Sequence, residues 1–294
     1  MDQERYRTLL RSARPDLSPK RFDDLGAGWD NVVFVVDDER IVRFAKDART
    51  TTMLEIEAAL LRAIGPSLSV PVPYPEFVAR PPESPDIALM IYRRIPGVAL
   101  DTVALDDALI AGIAPDLARF LDALHEIAAE ELRSLEIPRF TADAWIERHQ
   151  VLYRRTQADV RQGLSVAAFE RYEAWWHDYL TNPASRAFEP CLIHGDLVLE
   201  HIVIEPDPWR LSGIIDFGDA MWADPALDLA GWPEPLVQAV VERLRSLTPD
   251  RAFWMRRDAY RRFAPLHAVL AGRDFGRPDL LRSGIEALRR LLFS

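Results

Sequence analysis

The sequence predicts an α+β chain in two lobes. A small antiparallel-sheet lobe covers residues 1–95, and a larger helical lobe covers residues 96–294. Three observations predict this. Runs of β-branched and aromatic residues crowd the first ninety-odd positions. Ile95-Pro96-Gly97 then breaks the pattern. Beyond it, apolar residues recur mainly at helical spacing.

Val32 to Val36 and Ile41 to Phe44 read as two strands of a hairpin, separated by the polar turn Asp37-Asp38-Glu39-Arg40. Thr52 to Ala63 carries Met53, Ile56, Leu60 and Leu61 at helical spacing, and Gly65-Pro66 stops that helix. Pro71, Pro73 and Pro75 keep the next stretch extended. Ile87 to Tyr92 reads as a buried strand. After the break, Leu117, Phe120, Leu121 and Leu124 share a helix face, as do Phe169, Tyr172 and Trp176 within Val166 to Leu180. Two short strand-like runs follow, ending near His194 and Asp216. Helices are expected again from about Asp224 to the C-terminus.

With 294 residues and 49% hydrophobic content, the chain can bury a sizeable core. No apolar run is long enough to span a bilayer. Met1-Asp2-Gln3-Glu4-Arg5 is charged and lacks a signal-peptide core, so a cytoplasmic protein is expected. The single cysteine, Cys191, fits a reducing compartment and reads as a structural thiol inside an apolar run. A net charge of −10 opposes nucleic-acid binding and favours a cationic small-molecule substrate, although acidity also serves solubility. Nothing in the sequence speaks to oligomeric state.

The chemistry is carried by two segments. Cys191-Leu192-Ile193 runs into His194-Gly195-Asp196, and Ile214-Ile215 runs into Asp216-Phe217-Gly218-Asp219. Each motif alone is weak. Together, twenty residues apart and each closing an apolar run, they place two carboxylates where phosphoryl transfer needs them. One orients an attacking hydroxyl, and the other holds a divalent cation against nucleotide phosphates. The pair resembles the catalytic and metal loops of protein kinases. In its His-Gly-Asp form it is similar to the aminoglycoside phosphotransferase family, over roughly Phe22 to Trp232. The resemblance implies a bilobal protein-kinase-like fold, ATP or GTP as co-substrate, and Mg²⁺ as cofactor.

By that resemblance, Leu25-Gly26-Ala27-Gly28-Trp29-Asp30-Asn31 is a phosphate-facing loop, with Gly26 and Gly28 letting the backbone approach phosphate oxygens. A plain hairpin turn is the alternative. Arg43 takes the position where most kinases have lysine. Its guanidinium fork can grip phosphate, and Lys46 competes for the role. Glu57, ahead of Leu60-Leu61, matches the family's Glu-x-x-Leu-Leu pattern, with Glu55 on another helix face. The backbone from Tyr92 to Arg94 is expected along the purine edge.

Asp196 is expected as the catalytic, hydroxyl-orienting carboxylate, and His194 as a brace of its loop. Asp216 is expected to bind metal. His201 stands where kinases place asparagine, which points to the aminoglycoside 2″-phosphotransferase and macrolide phosphotransferase branch and makes His201 a metal ligand. The alternative is a hydrogen-bonded histidine that leaves the cation to Asp216 and water. Asp224 reads as a cap for a helix opening at Pro225, with Asp228 one turn on.

Asp219, Glu234 and Trp232 are candidate substrate contacts. Glu126, Glu130 and Glu131 could add anionic charge, and Trp145 and Trp254 could stack on sugars. Solvated acids and core aromatics are the plainer alternatives. The expected activity is a small-molecule antibiotic kinase, with an aminoglycoside ahead of a macrolide and antibiotic resistance as its context. A metabolic sugar or amino-alcohol kinase, a nucleotide-binding pseudokinase acting as an interaction module, and a metal-dependent hydrolase on His194, Asp196 and His201 remain as alternatives. The hydrolase lacks a third ligand at metal-site spacing.

Overall fold

The computed structural model describes residues 3–28 and 30–293. Met1, Asp2, Trp29 and Ser294, which entered the reading of the N-terminus, the glycine loop and the lobe limits, lie outside the described residues. Internal packing gathers the chain into two units. The first is Met1–Pro138, His194–Ala220 and Pro233–Ser246; the second is Arg139–Ile193, Met221–Trp232 and Leu247–Ser294.

The first unit begins with α1 (Gln3–Ala13) and a five-stranded antiparallel sheet. Its strands are β1 (Phe22–Ala27), β2 (Asn31–Val36), β3 (Arg40–Ala45), β4 (Pro75–Ala79) and β5 (Leu89–Arg93), in the order β1-β2-β3-β5-β4. The β2–β3 turn is tight because Asp37 and Asp38 both adopt positive φ, the conformation that matches strand twist. Alternation sorts the side chains onto two faces. Phe22, Phe34, Val42, Phe44 and Ile91 pack on Leu9 and Leu10 of α1. Ile41, Ala45, Met90 and Tyr92 pack on the other face with Leu54 and Ala58 of α2 (Ala48–Ile64). Arg43 lies between Ile41 and Ala45 on β3, so it belongs to the α2 face.

The helix expected over 52–63 begins four residues earlier. Asp47 caps it, accepting from the Thr50 N–H at 2.8 Å, while the Thr50 hydroxyl accepts from the Asp47 N–H at 3.0 Å. The same unit contains β6 (Val98–Ala99), α3 (Asp107–His125), β8 (Ile202–Glu205), β9 (Arg210–Ile214) and α6 (Glu234–Val241). Strand β6 pairs with β8, and β8 with β9, all antiparallel.

The second unit holds α4 (Ala142–Gly163), α5 (Val166–Thr181), α7 (Arg251–Asp274) and α8 (Pro278–Phe293), with the short pair β7 (Cys191–Ile193) and β10 (Met221–Ala223). Its core is aromatic: Trp176 stacks on Phe263 at 4.1 Å, and Tyr172, Tyr179 and Tyr260 surround them. Asp224 and Arg256 form a fully buried ion pair at 2.5 Å, and Tyr260 donates to the same carboxylate at 2.6 Å. The helix expected from Pro225 is only a single 3₁₀ turn, Pro225–Leu227, which Asp224 caps through the Ala226 N–H. Gly231 and Pro233 delay regular helix until Glu234. No helix among the described residues is long and apolar enough to cross a membrane.

Candidate active site

One hairpin assembles the site. His201 immediately precedes β8, and Ile215-Asp216 follows β9. Ile202 lies opposite Ile214, and the Ile215 N–H donates to the His201 carbonyl at 3.0 Å. Two segments remote in sequence are thereby fixed side by side. His201 Nε2 lies 3.6 Å from Asp216 Oδ2.

The loop from His194 to His201 is braced from within. Gly195 adopts φ +83°, which lets the chain turn sharply before Asp196. His194 is buried, and its Nε2 lies 3.0 Å from the Ile215 carbonyl, while the Asp196 N–H reaches its Nδ1 at 3.3 Å. A carbonyl only accepts, so Nε2 carries the hydrogen and Nδ1 accepts. Burial holds the imidazole down to about 4, with the Ile215 carbonyl opposing. A neutral ring with both nitrogens engaged is a brace, the role expected of it.

His201 obeys the same logic. Its Nδ1 lies 2.7 Å from the Asp196 carbonyl and must donate to it. In the neutral ring, Nε2 therefore presents a lone pair toward the Asp216 carboxylate. Two electron-pair donors face each other, an arrangement that suits a cation placed against both. Among the described residues, no group of three or more His, Cys, Asp and Glu side chains is arranged to hold a metal. Two protein ligands still fit Mg²⁺, which commonly completes its shell with water and substrate phosphates.

Arg43 is buried against α2 and reaches two carboxylates. Nη1 contacts Glu57 Oε1 at 2.6 Å, and Nη2 contacts Asp216 Oδ1 at 3.0 Å. Lysine, with one nitrogen, has no such fork. Glu57 also accepts from the Phe217 N–H, which ties α2 to the turn carrying Asp216. Asp216 itself sits at φ 66°, ψ 68°, a left-handed conformation uncommon outside glycine and concentrated at functional sites.

These neighbours push the acids apart. Burial raises Asp196, and Asp216 and Glu200 add to this, while His201 opposes it. Burial works against the charge of Asp216 too, but the Arg43 guanidinium holds Asp216 below its ordinary value. Burial also raises Glu57, against the pull of Arg43. The two carboxylates are thus shifted in opposite directions.

These groups share a cavity of about 470 Å³ within the first unit. Gly28, Arg43, Glu57, Asp196, His201, Asp216 and Asp219 all line it. Gly26 has φ +114° at the loop's start. Lys46 donates to the Gly28 carbonyl, and Arg49 pairs with Asp30 at 2.6 Å, so both cations hold the loop. Glu55 pairs with Arg80 instead of Arg43, on the other helix face.

Residues 22–266 match the model of the phosphotransferase enzyme family. The chain belongs to this family. Among curated proteins, this phosphotransferase is 26% identical over 262 residues to viomycin phosphotransferase of Streptomyces vinaceus, covering 87% of this chain and 88% of that one. Among solved structures, it is similar to the GDP complex of aminoglycoside 2'-phosphotransferase-IIIa, with TM-score 0.88 and 24% identity over 100% of this chain and 99% of that one. It is also similar to a macrolide 2'-phosphotransferase of Brachybacterium faecium, with TM-score 0.73 and 22% identity over 96% and 97%. The fold is the α+β kinase-like fold that the sequence predicts.

Other expected contacts of this phosphotransferase stand elsewhere. Trp232 is only 2% exposed and packed into a core, so it offers no stacking face; its carbonyl accepts from Arg257. Glu234 is exposed at the start of α6 and accepts from Gln238 at 2.9 Å, away from the cavity lining. Tyr92 turns a buried side chain to the α2 face of the sheet. The Arg94 N–H is engaged by the Glu39 carbonyl at 2.8 Å and is closed to a base edge. Neither Tyr92 nor Arg94 lines the cavity. Trp145 is buried and hydrogen-bonded to Tyr260. Asn31, the last residue of the expected phosphate-facing loop, lines the cavity, and Met53 lines it without having been expected there. Asn31 had a visible signal: it is a polar residue at the head of an apolar strand.

Proposed function

We propose that this phosphotransferase moves the γ-phosphoryl group of ATP or GTP to a hydroxyl of a cationic antibiotic-like molecule, with aminoglycosides the first class to test. One observation carries this reading: Arg43, Asp196, His201 and Asp216 converge on one cavity beneath a glycine loop. The similarity to aminoglycoside, macrolide and viomycin phosphotransferases supports the substrate class. The relative bound to GDP keeps guanine nucleotides in view.

In this reading, Gly28 and Arg43 receive the phosphate chain, and the fixed charge of Arg43 offsets charge there. Asp216 and His201 would hold Mg²⁺, which when bound neutralises phosphate charge. Asp196 accepts a hydrogen bond from the acceptor hydroxyl, aligns its oxygen with the phosphorus, and takes the proton as the bond forms. Alignment matters more than base strength because the transition state is loose.

A panel of aminoglycosides, macrolides, viomycin and amino alcohols, each offered with ATP and GTP, tests the proposal. Acceptor-stimulated release of nucleoside diphosphate is expected for at least one cationic antibiotic. Nucleotide binding with no stimulation across the panel would favour a binding module instead.

A further inference from the structure

Glu200 lines the cavity without a cation from the protein to meet it. The other acids of that lining are engaged. Asp30 pairs with Arg49 at 2.6 Å, Glu57 and Asp216 share Arg43, and Asp196 Oδ2 lies 3.6 Å from His201 Nδ1. Asp219 has a partner as well. Glu200 makes no hydrogen bond or ion pair among the described residues. Arg43 is the one arginine or lysine among the described lining residues, and it is already divided between two acids. Burial raises Asp196, and the charges of Asp216 and Glu200 add to this, so Glu200 lies within electrostatic reach of Asp196.

Its place in the chain limits what Glu200 can meet. It sits in the 3₁₀ turn Leu199–His201, immediately before His201. Neighbouring side chains in such a turn diverge by about 120°, so Glu200 does not share the direction that His201 takes toward Asp216. No group of three His, Cys, Asp or Glu side chains among the described residues is arranged for a metal, which leaves Glu200 outside the Asp216–His201 pair. Phosphate oxygens repel it. A lone carboxylate on the loop that carries Asp196 is matched by a cation that the acceptor brings.

We infer that Glu200 is a specificity residue, which receives an ammonium group of the acceptor and so seats a nearby hydroxyl against Asp196. The inference deepens, and rests on, the reading of this cavity as a phosphotransfer site for a cationic molecule. The ammonium donates a charge-assisted hydrogen bond to the Glu200 carboxylate. Its charge also offsets the repulsion between Glu200 and Asp196. A neutral acceptor leaves that repulsion standing, so the same residue that attracts an amine disfavours an uncharged alcohol.

Steady-state kinetics with the amines of the panel, kanamycin and viomycin among them, test it, each amine beside its less charged N-acetyl derivative. Glu200→Gln keeps the shape and removes the charge. The KM for the amine should rise about 10-fold or more, as for loss of a hydrogen bond to a charged group. The kcat should fall less, and the KM for the N-acetyl derivative should not rise. The KM for the nucleotide and the Mg²⁺ dependence should stay as in the wild type. Glu200→Lys should abolish the preference for the amine, and Glu200→Asp should restore part of it. Equal amine preference in the wild type, Glu200→Gln and Glu200→Lys overturns the role of Glu200 while leaving the phosphotransfer site standing. A shift in nucleotide KM or Mg²⁺ dependence with amine preference intact overturns it in favour of a role in the nucleotide half. Failure of the wild type to phosphorylate any amine overturns both readings.

Discussion

Arg43 Nη2 lies 3.0 Å from Asp216 Oδ1 while its other terminal nitrogen holds Glu57 at 2.6 Å. One guanidinium thus joins a strand, a helix and the expected metal turn. Arg43→Ala leaves Glu57 buried and unpaired, and should destabilise the protein by about 3–5 kcal/mol. It should also weaken triphosphate binding at least 10-fold. Arg43→Lys keeps one pairing, with Glu57, and releases Asp216. The Mg²⁺ concentration for half-maximal nucleotide binding should then fall. An unchanged Mg²⁺ dependence would show that Arg43 does not restrain Asp216.

His201 leaves a chemical signature of its own. Imidazole suits Mn²⁺ and Co²⁺ better than Mg²⁺. Nucleotide binding supported by Mn²⁺ should therefore be favoured over Mg²⁺ in the wild type, and His201→Asn should shift the ratio toward Mg²⁺. Calorimetry with each cation reads it directly, and an unaltered ratio would remove His201 from the cation site.

Asp224 should matter for folding alone. Removing it strands Arg256, which is 3% exposed, and the hydroxyl of Tyr260. Asp224→Ala should cost about 3–5 kcal/mol in urea unfolding. Asp224→Asn should cost less, since it keeps an acceptor.

Acid should loosen the fold through buried histidines. Burial holds His149 down to about 3, with Arg148 and His267 adding to this. Burial also holds His125 down to about 4, against the pull of Asp122. A histidine depressed in the folded state contributes stability above its unfolded value of about 6.5 and loses it as the pH falls toward the folded value. At pH 5 each should have lost about 2 kcal/mol. His149→Gln, which keeps hydrogen-bonding capacity without titrating, should flatten the decline in unfolding midpoint between pH 6.5 and 5. An undiminished slope would contradict the assignment.

Strands β2, β3 and β5 of the sheet, the α2 helix and the Asp196–Asp216 pairing were legible because local pattern and spacing dictate them. The turn at Asp37-Asp38, the strand alternation and the apolar runs ending in acid are all short-range signals. The missed features depend on distant partners. Helix α1 is anchored by Leu9 and Leu10 against a sheet that the sequence does not place beside it. The start of α2 was hidden in side-chain capping by Asp47. Trp232 stood open between a stacking ring and a core aromatic because burial is a tertiary property, and it is the core aromatic. Asn31 closes the glycine loop, but its unpartnered Oδ1 becomes visible only once its neighbours are known to lack a matching donor.

The most direct test is mass spectrometry of the acceptor after incubation with ATP or GTP and Mg²⁺, comparing wild type with Asp196→Asn. If Asp196 aligns the hydroxyl, the wild type adds one phosphoryl group to a cationic antibiotic. The variant should be slower by about 10²–10⁴-fold, with nucleotide affinity unchanged. Phosphorylation at the wild-type rate by Asp196→Asn would contradict the site as described.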